Sequence, residues 1–168
     1  MSLEVRPVTA ADAAELAALL NAIIARGGTT ALEEPFTPER LDEVYLTGPG
    51  VLSCVAAVGS DNGHLAGFQT LVRAPCLPKD WGDIATFSRV GGTQKGTGTA
   101  LFVATRANAR MHRLATINAT IRADNTGGLA YYSRMGFIDY GVDHAVPLGN
   151  GTPVDRIHKR YMLDTAPK

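Results

Sequence analysis

Apolar positions along the 168-residue chain follow two periods, and the switches between them mark the elements. Residues 3–8 read as a short strand ending at a turn. Thr9, with Asp12 three residues on, has the form of a capping box that opens a helix. Leu16, Leu19, Leu20, Ile23 and Ile24 then recur at the spacing of one helical face, and Gly27-Gly28 ends it. Thr37-Pro38 opens a second helix with Leu41, Val44 and Tyr45 as its buried side. Residues 51–58 form a continuous apolar run, as a buried strand does. Asp61-Asn62-Gly63 is turn chemistry, so 65–72 is expected to return as the second arm of a hairpin. The stretch 74–82, with two prolines, reads as loop, and 84–90 as a further strand.

The C-terminal half alternates element types. Residues 101–111 are helical, with Arg110, His112 and Arg113 near the negative helix end. Ile117, Ala119 and Ile121 alternate with polar neighbours over 116–122, the period of a strand. A short helix over 129–135 closes at Gly136, and a strand begins at 137–140. Residues 143–153 are polar and carry Gly and Pro, so they read as a loop before a last strand at 157–163. The tally is an α/β (α+β) chain, a mixed sheet with four helices in a single domain over 1–168.

Composition narrows the function. Lys plus Arg is 16 and Asp plus Glu is 16, so no net field draws the chain to nucleic acid or to an acidic membrane. The longest apolar region, 16–25, is too short to span a bilayer and is interrupted by Asn21. Two cysteines, Cys54 and Cys76, make no disulfide framework and lack metal-ligand spacing. The expectation is a cytoplasmic protein without a metal.

The chemistry-bearing segment lies between a strand and a helix: Gly91-Gly92-Thr93-Gln94-Lys95-Gly96-Thr97-Gly98-Thr99. Glycines let backbone N–H groups approach an anion, and a helix beginning at 96–98 adds its unpaired N–H groups and positive dipole end. A Walker A loop requires Lys-Ser/Thr after its second glycine, and Thr97-Gly98 stands there. The dinucleotide fingerprint requires Gly or Ala three residues after Gly98, where Leu101 stands. The segment instead resembles the pyrophosphate motif of the GCN5-related N-acetyltransferase (GNAT) family, Arg/Gln-x-x-Gly-x-Gly/Ala. Thr93 occupies the Arg/Gln position, with Gln94 beside it.

A second stretch carries the same resemblance. Asn125-Thr126-Gly127-Gly128-Leu129-Ala130-Tyr131-Tyr132-Ser133-Arg134-Met135-Gly136-Phe137 is similar to the family's Asn-x-x-Ala-x-x-Phe/Leu-Tyr-x-x-x-Gly-Phe, with Gly128 in place of Ala. The resemblance implies a six- to seven-stranded, mostly antiparallel sheet splayed between strands 4 and 5. Acetyl-coenzyme A would lie in that gap, pairing with backbone near Ser88, Arg89 and Val90. Its pyrophosphate would rest on Gln94, Lys95, Gly96, Thr97, Gly98 and Thr99, with Asn125 against its arm. Tyr132 would protonate the departing thiolate, and Tyr131 would pack elsewhere.

The segment 29–39 resembles the Phe-x-x-Glu-Pro-x-Thr-Pro-Glu stretch of the phosphinothricin acetyltransferase-like branch, with Glu34 at its Glu-Pro. The implied reaction is acetylation of a small-molecule amine by direct attack in a ternary complex, with Glu34 as a catalytic candidate. Glu33, Asp83, His144 and His158 stay open as other candidates for the base, and His112 reads as a helix-end cation. A protein N-acetyltransferase and a non-catalytic coenzyme-binding module are the alternatives. The family also implies a homodimer.

Overall fold

A computed structural model describes residues 3–59, 62–91 and 94–163 of the chain. Asp61 of the hairpin turn and Thr93 of the glycine-rich loop lie outside the described residues. Seven strands form one sheet: β1 (Glu4–Pro7), β2 (Val51–Val58), β3 (Leu65–Val72), β4 (Trp81–Ser88), β5 (Thr116–Arg122), β6 (Ile138–Pro147) and β7 (Pro153–Met162). Their order is β1-β2-β3-β4-β5-β7-β6. Every neighbouring pair is antiparallel except β4 and β5. The helices are α1 (Ala13–Arg26), α2 (Pro38–Leu41), α3 (Thr97–Met111) and α4 (Thr126–Met135). No helix among the described residues is long and apolar enough to cross a membrane.

The two faces of the sheet carry separate cores. On one face Leu16, Leu20, Phe36 and Leu41 of α1, α2 and their connection pack on Phe68 and Phe87. On the other, Phe102 and Tyr132 of α3 and α4 pack on Ile84, Ile117, Ala119 and Ile121. Strand side chains alternate between faces. Asp83 therefore shares the α1 face with Phe87, and Thr86 shares the α3–α4 face with Ile84.

Parallel pairing of β4 with β5 is confined to Trp81–Thr116, Gly82–Ile117 and Asp83–Asn118. Beyond Asp83 both strands run on without pairing to each other, so the sheet opens.

Asn21, which interrupts the apolar stripe of α1, has a structural use. Its amide donates to the Phe36 carbonyl (2.9 Å) and accepts from the Phe36 N–H (2.8 Å), holding the α1–α2 connection on the helix.

Several boundaries differ from the sequence reading. β4 begins at Trp81, inside the expected loop, and ends at Ser88. The expected loop 143–153 shrinks to 148–152, because β6 continues to Pro147 by pairing with β7. A polar edge strand has no apolar alternation to announce it. The second helix keeps only Pro38–Leu41 as α-helix before Asp42–Leu46 widens into a π-turn. That widening rotates Val44 out, and it is 39% exposed rather than buried.

Candidate active site

The opening between β4 and β5 leads into a cavity of about 760 Å³ that reaches both faces of the sheet. Asp83, Thr86, Thr120, Tyr131 and Tyr132 line it, together with the connection 29–32 after α1.

At one mouth, α3 begins. Gly96 adopts φ +91° as its N-cap, a conformation that favours glycine. Thr97 turns back on Gln94, its N–H (3.2 Å) and hydroxyl (2.6 Å) both donating to the Gln94 carbonyl. Ala100 N–H makes the first full helical bond, to the Gly96 carbonyl (3.0 Å). The Thr97 N–H is therefore occupied within the loop. The N–H groups of Gly98 and Thr99 are the orphans of the first helical turn. Lys95 is exposed.

Just past the end of β4, the Arg89 N–H donates to the Ala66 carbonyl (2.9 Å), toward β3. Backbone groups of successive strand residues point to opposite sides, so those of Ser88, the last residue of β4, face the opening. The Arg89 guanidinium is taken by Glu15 (3.0 Å) and the Leu65 carbonyl (2.8 Å). Arg89 thus borders the cavity but offers it neither its N–H nor a free charge.

Tyr132 is 7% exposed, and its hydroxyl lies 2.8 Å from Thr86 Oγ1 on the α3–α4 face. Burial pushes the Tyr132 phenol well above the usual tyrosine range, so it stays protonated. Tyr131 does not turn away from the cavity. The two rings lie 5.0 Å apart, and Tyr131 Oη donates to the Gly98 carbonyl (2.7 Å) while accepting from Gln69 Nε2 (3.0 Å). Adjacent helical residues point ~100° apart, which predicts Tyr131 as packing only; the two hydroxyls instead reach neighbouring strands, Tyr131 to Gln69 on β3 and Tyr132 to Thr86 on β4. Gln69 Nε2 also donates to Thr86 Oγ1 (2.9 Å), and its own Oε1 has no partner among the described residues.

Asn125 caps α4, accepting from Gly128 N–H (2.9 Å), and donates to the Thr29 carbonyl (3.0 Å). Arg122, buried and paired with Asp124, donates to the Thr30 carbonyl (3.1 Å). These bonds pin the α1–α2 connection over the cavity. Glu33 pins its far side, its carboxylate accepting from Gly149 N–H (3.0 and 2.8 Å). Glu34 is exposed and is not among the residues lining the cavity.

On the α1 face, Asp83 is the carboxylate in the cavity wall. Burial raises its pKa, and the Asn118 amide, donating at 2.8 Å, and the nearby His158 pull it back. Tyr45 faces the same space, its phenol raised by burial and by Asp83. His144 is bound to Asp155 (3.4 Å) on β6, away from the cavity. Cys54 is buried, its thiol pushed up to about 12, unlike an activated nucleophile.

The gap beside β4, a helix start with two orphan N–H groups and a phenol across from a carboxylate form one continuous site. The chain has the GNAT fold. It superimposes with a TM-score of 0.84 on a GNAT superfamily phosphinothricin acetyltransferase from Sinorhizobium meliloti in complex with AcCoA, at 20% identity over 100% of this chain and 93% of that one. A GCN5-related N-acetyltransferase from Kribbella flavida gives 0.82 at 19% identity over 96% and 98%. The yncA protein of Salmonella typhimurium, with its cofactor acetyl-CoA, gives 0.81 at 15% identity over 100% and 98%. No family model and no curated protein matches the chain.

The residues missed in the sequence are Gln69, Thr86 and Thr120. Each lies within a strand with no motif around it; alternation alone could have assigned Thr120 to the face opposite Ile117 and Ala119.

Proposed function

We propose that the protein transfers the acetyl group of acetyl-coenzyme A to the amine of a small molecule, by direct attack in a ternary complex. One observation carries this reading: Asp83 and Tyr132 flank the same opening from opposite faces of the sheet. An amine held on the α1 face by the Asp83 carboxylate would meet a thioester threaded through the gap from the α3 side. The outward backbone of Ser88 would receive the pantetheine arm as an added strand, and the N–H of Val90, just beyond β4, would polarise the thioester carbonyl. Gly98 and Thr99 N–H groups would take the pyrophosphate. Tyr132 would give its proton to the departing thiolate, with Thr86 then free to donate to the phenolate.

Asp83 replaces Glu34 as the acceptor-side carboxylate in this proposal, because it stands in the cavity wall. The pinned α1–α2 connection narrows the acceptor side, which favours a small amine over a protein substrate.

The test is a screen of amino acids, polyamines, aminoglycosides and phosphinothricin analogues, read by release of free thiol from acetyl-coenzyme A. Turnover with one of them is expected. Calorimetry showing no binding of acetyl-coenzyme A would overturn the reading, and binding without turnover of any amine would favour a non-catalytic module.

The same proposal includes a homodimer through the β6 edge, where Ile138 and Val142 stand 56% and 43% exposed, and a cytoplasmic location, where the co-substrate is made and used.

A further inference from the structure

A second cluster on the α1 face is not used by the mechanism above. Thr120 Oγ1 lies 2.9 Å from His158 Nδ1, and His158 Nε2 lies 2.9 Å from Asp143 Oδ2. Three adjacent strands, β5, β7 and β6, supply one residue each, and the register places Thr120 directly opposite His158. Thr120 lines the cavity, whereas Asp143 is on the open side of the sheet edge.

Donor bookkeeping fixes the protons. A carboxylate can only accept, so His158 carries hydrogen on Nε2 and directs it at Asp143. In the neutral ring Nδ1 is then a lone pair, and the hydrogen facing it must come from Thr120. Asn118 confirms the direction at the other end. Tyr140 Oη donates to Asn118 Oδ1, so the Asn118 amide nitrogen faces inward, donating to Asp83 (2.8 Å) and to Thr120 Oγ1 (3.1 Å). Thr120 Oγ1 therefore accepts from Asn118, donates to His158, and keeps a lone pair for a donor in the cavity.

We propose that Thr120, His158 and Asp143 form a proton relay that deprotonates the acceptor, which reaches the site as an ammonium ion. This rests on the acetyltransferase reading and adds to it the destination of the acceptor's proton. An N–H bond of the ammonium breaks, its electron pair staying on nitrogen, and the proton forms a new O–H bond on Thr120. The former Thr120 proton forms Nδ1–H on His158. The positive charge moves from the ammonium to an imidazolium beside Asp143, and Nδ1–H now donates back to Thr120. Once the product has left, Nδ1 returns its proton through Thr120 to water in the cavity, which restores the Nε2–H ring. Asp83 binds and orients the cation, while Thr120 is the catalytic contact and His158 and Asp143 act through it.

Two measurements test this. In the free protein, nitrogen-15 NMR of the His158 ring should show the Nε2–H form, with Nδ1 shifting in Thr120→Val; an Nδ1–H ring would overturn the relay. This reading stands whether or not an amine is turned over, so its failure is separate from failure of the acetyltransferase assignment. In the enzyme with an amine found by thiol release, Thr120→Val and His158→Ala should each lose about 10²-fold in kcat, with the KM for acetyl-coenzyme A unchanged. Thr120→Ser should retain activity within a few-fold, and added imidazole should restore turnover to His158→Ala. Unchanged kcat in Thr120→Val, or a His158→Ala enzyme that folds, binds acetyl-coenzyme A and gains nothing from imidazole, would overturn it.

Discussion

Tyr131 Oη donates to the carbonyl of Gly98 at 2.7 Å, and a Cβ built on Gly98 would stand 2.6 Å from Cε1 of the same ring. The glycine at the second residue of α3 thus serves contact with α4, besides the anion access proposed for it. Gly98→Ala should push Tyr131 off Gln69 and destabilise the protein by about 1–3 kcal/mol, as overpacking does. Thermal denaturation would register this, and calorimetry with acetyl-coenzyme A should show weaker binding.

Tyr132→Phe removes the proposed proton donor while keeping the ring. Loss of a positioned general acid costs about 10²–10⁴-fold in rate. The expected result is a kcat reduced by that order, with KM values little changed, in steady-state thiol-release assays. Because burial raises the Tyr132 phenol, wild-type activity should show no alkaline loss near the ordinary tyrosine range.

Asp83 is expected to make opposite contributions to function and stability. Its folded-state pKa is raised by burial, so the folded state is favoured by its protonation. Its favourable contribution is present below the ordinary carboxylate pKa of ~3.9 and is lost as pH rises through the folded value. Asp83→Asn should therefore melt at a higher temperature than wild type at neutral pH, and the gain should vanish in acid. Acceptor kcat/KM should fall on acidification from a pH above the usual carboxylate range, and Asp83→Asn should lose acceptor turnover at every pH.

Two adjacent glycines in α4 should respond with opposite signs. Alanine in a helix is ordinarily better than glycine by about 0.5–1 kcal/mol. At Gly127 the nearest atom to an added Cβ is 3.9 Å away, so Gly127→Ala should stabilise. At Gly128 the Cβ would stand 2.5 Å from Asn125 Nδ2, which is held by the Thr29 carbonyl. Gly128→Ala should dislodge the cap and destabilise by about 1 kcal/mol. Chemical denaturation of both variants decides between these signs.

Ile138→Lys on the β6 edge should convert the proposed dimer to monomer in light scattering, with the fold retained by circular dichroism. A wild-type monomer would remove the dimer from the proposal.

The local parts of this site were legible from the chain itself. A glycine-rich turn opening a helix, an asparagine cap followed by Tyr132 and Gly136, and the two-residue alternation over Thr116–Arg122 depend on neighbours in sequence, so short-range patterns carry them. The positions of the strands that surround the cavity did not follow from such patterns. β6 runs on as far as Pro147 because β7 pairs with it, although its polar residues read as loop. Where the sheet opens depends on parallel pairing ending at Asp83–Asn118, a contact between residues 35 apart. Only that opening singles out Asp83 from Glu33 and Glu34, which composition makes equivalent. The Thr120–His158–Asp143 chain requires three strands in register, and Gln69, Thr86 and Tyr131 meet across two strands and a helix. Sequence periodicity reports which face a residue occupies; which residues share that face at hydrogen-bond distance is decided by long-range pairing.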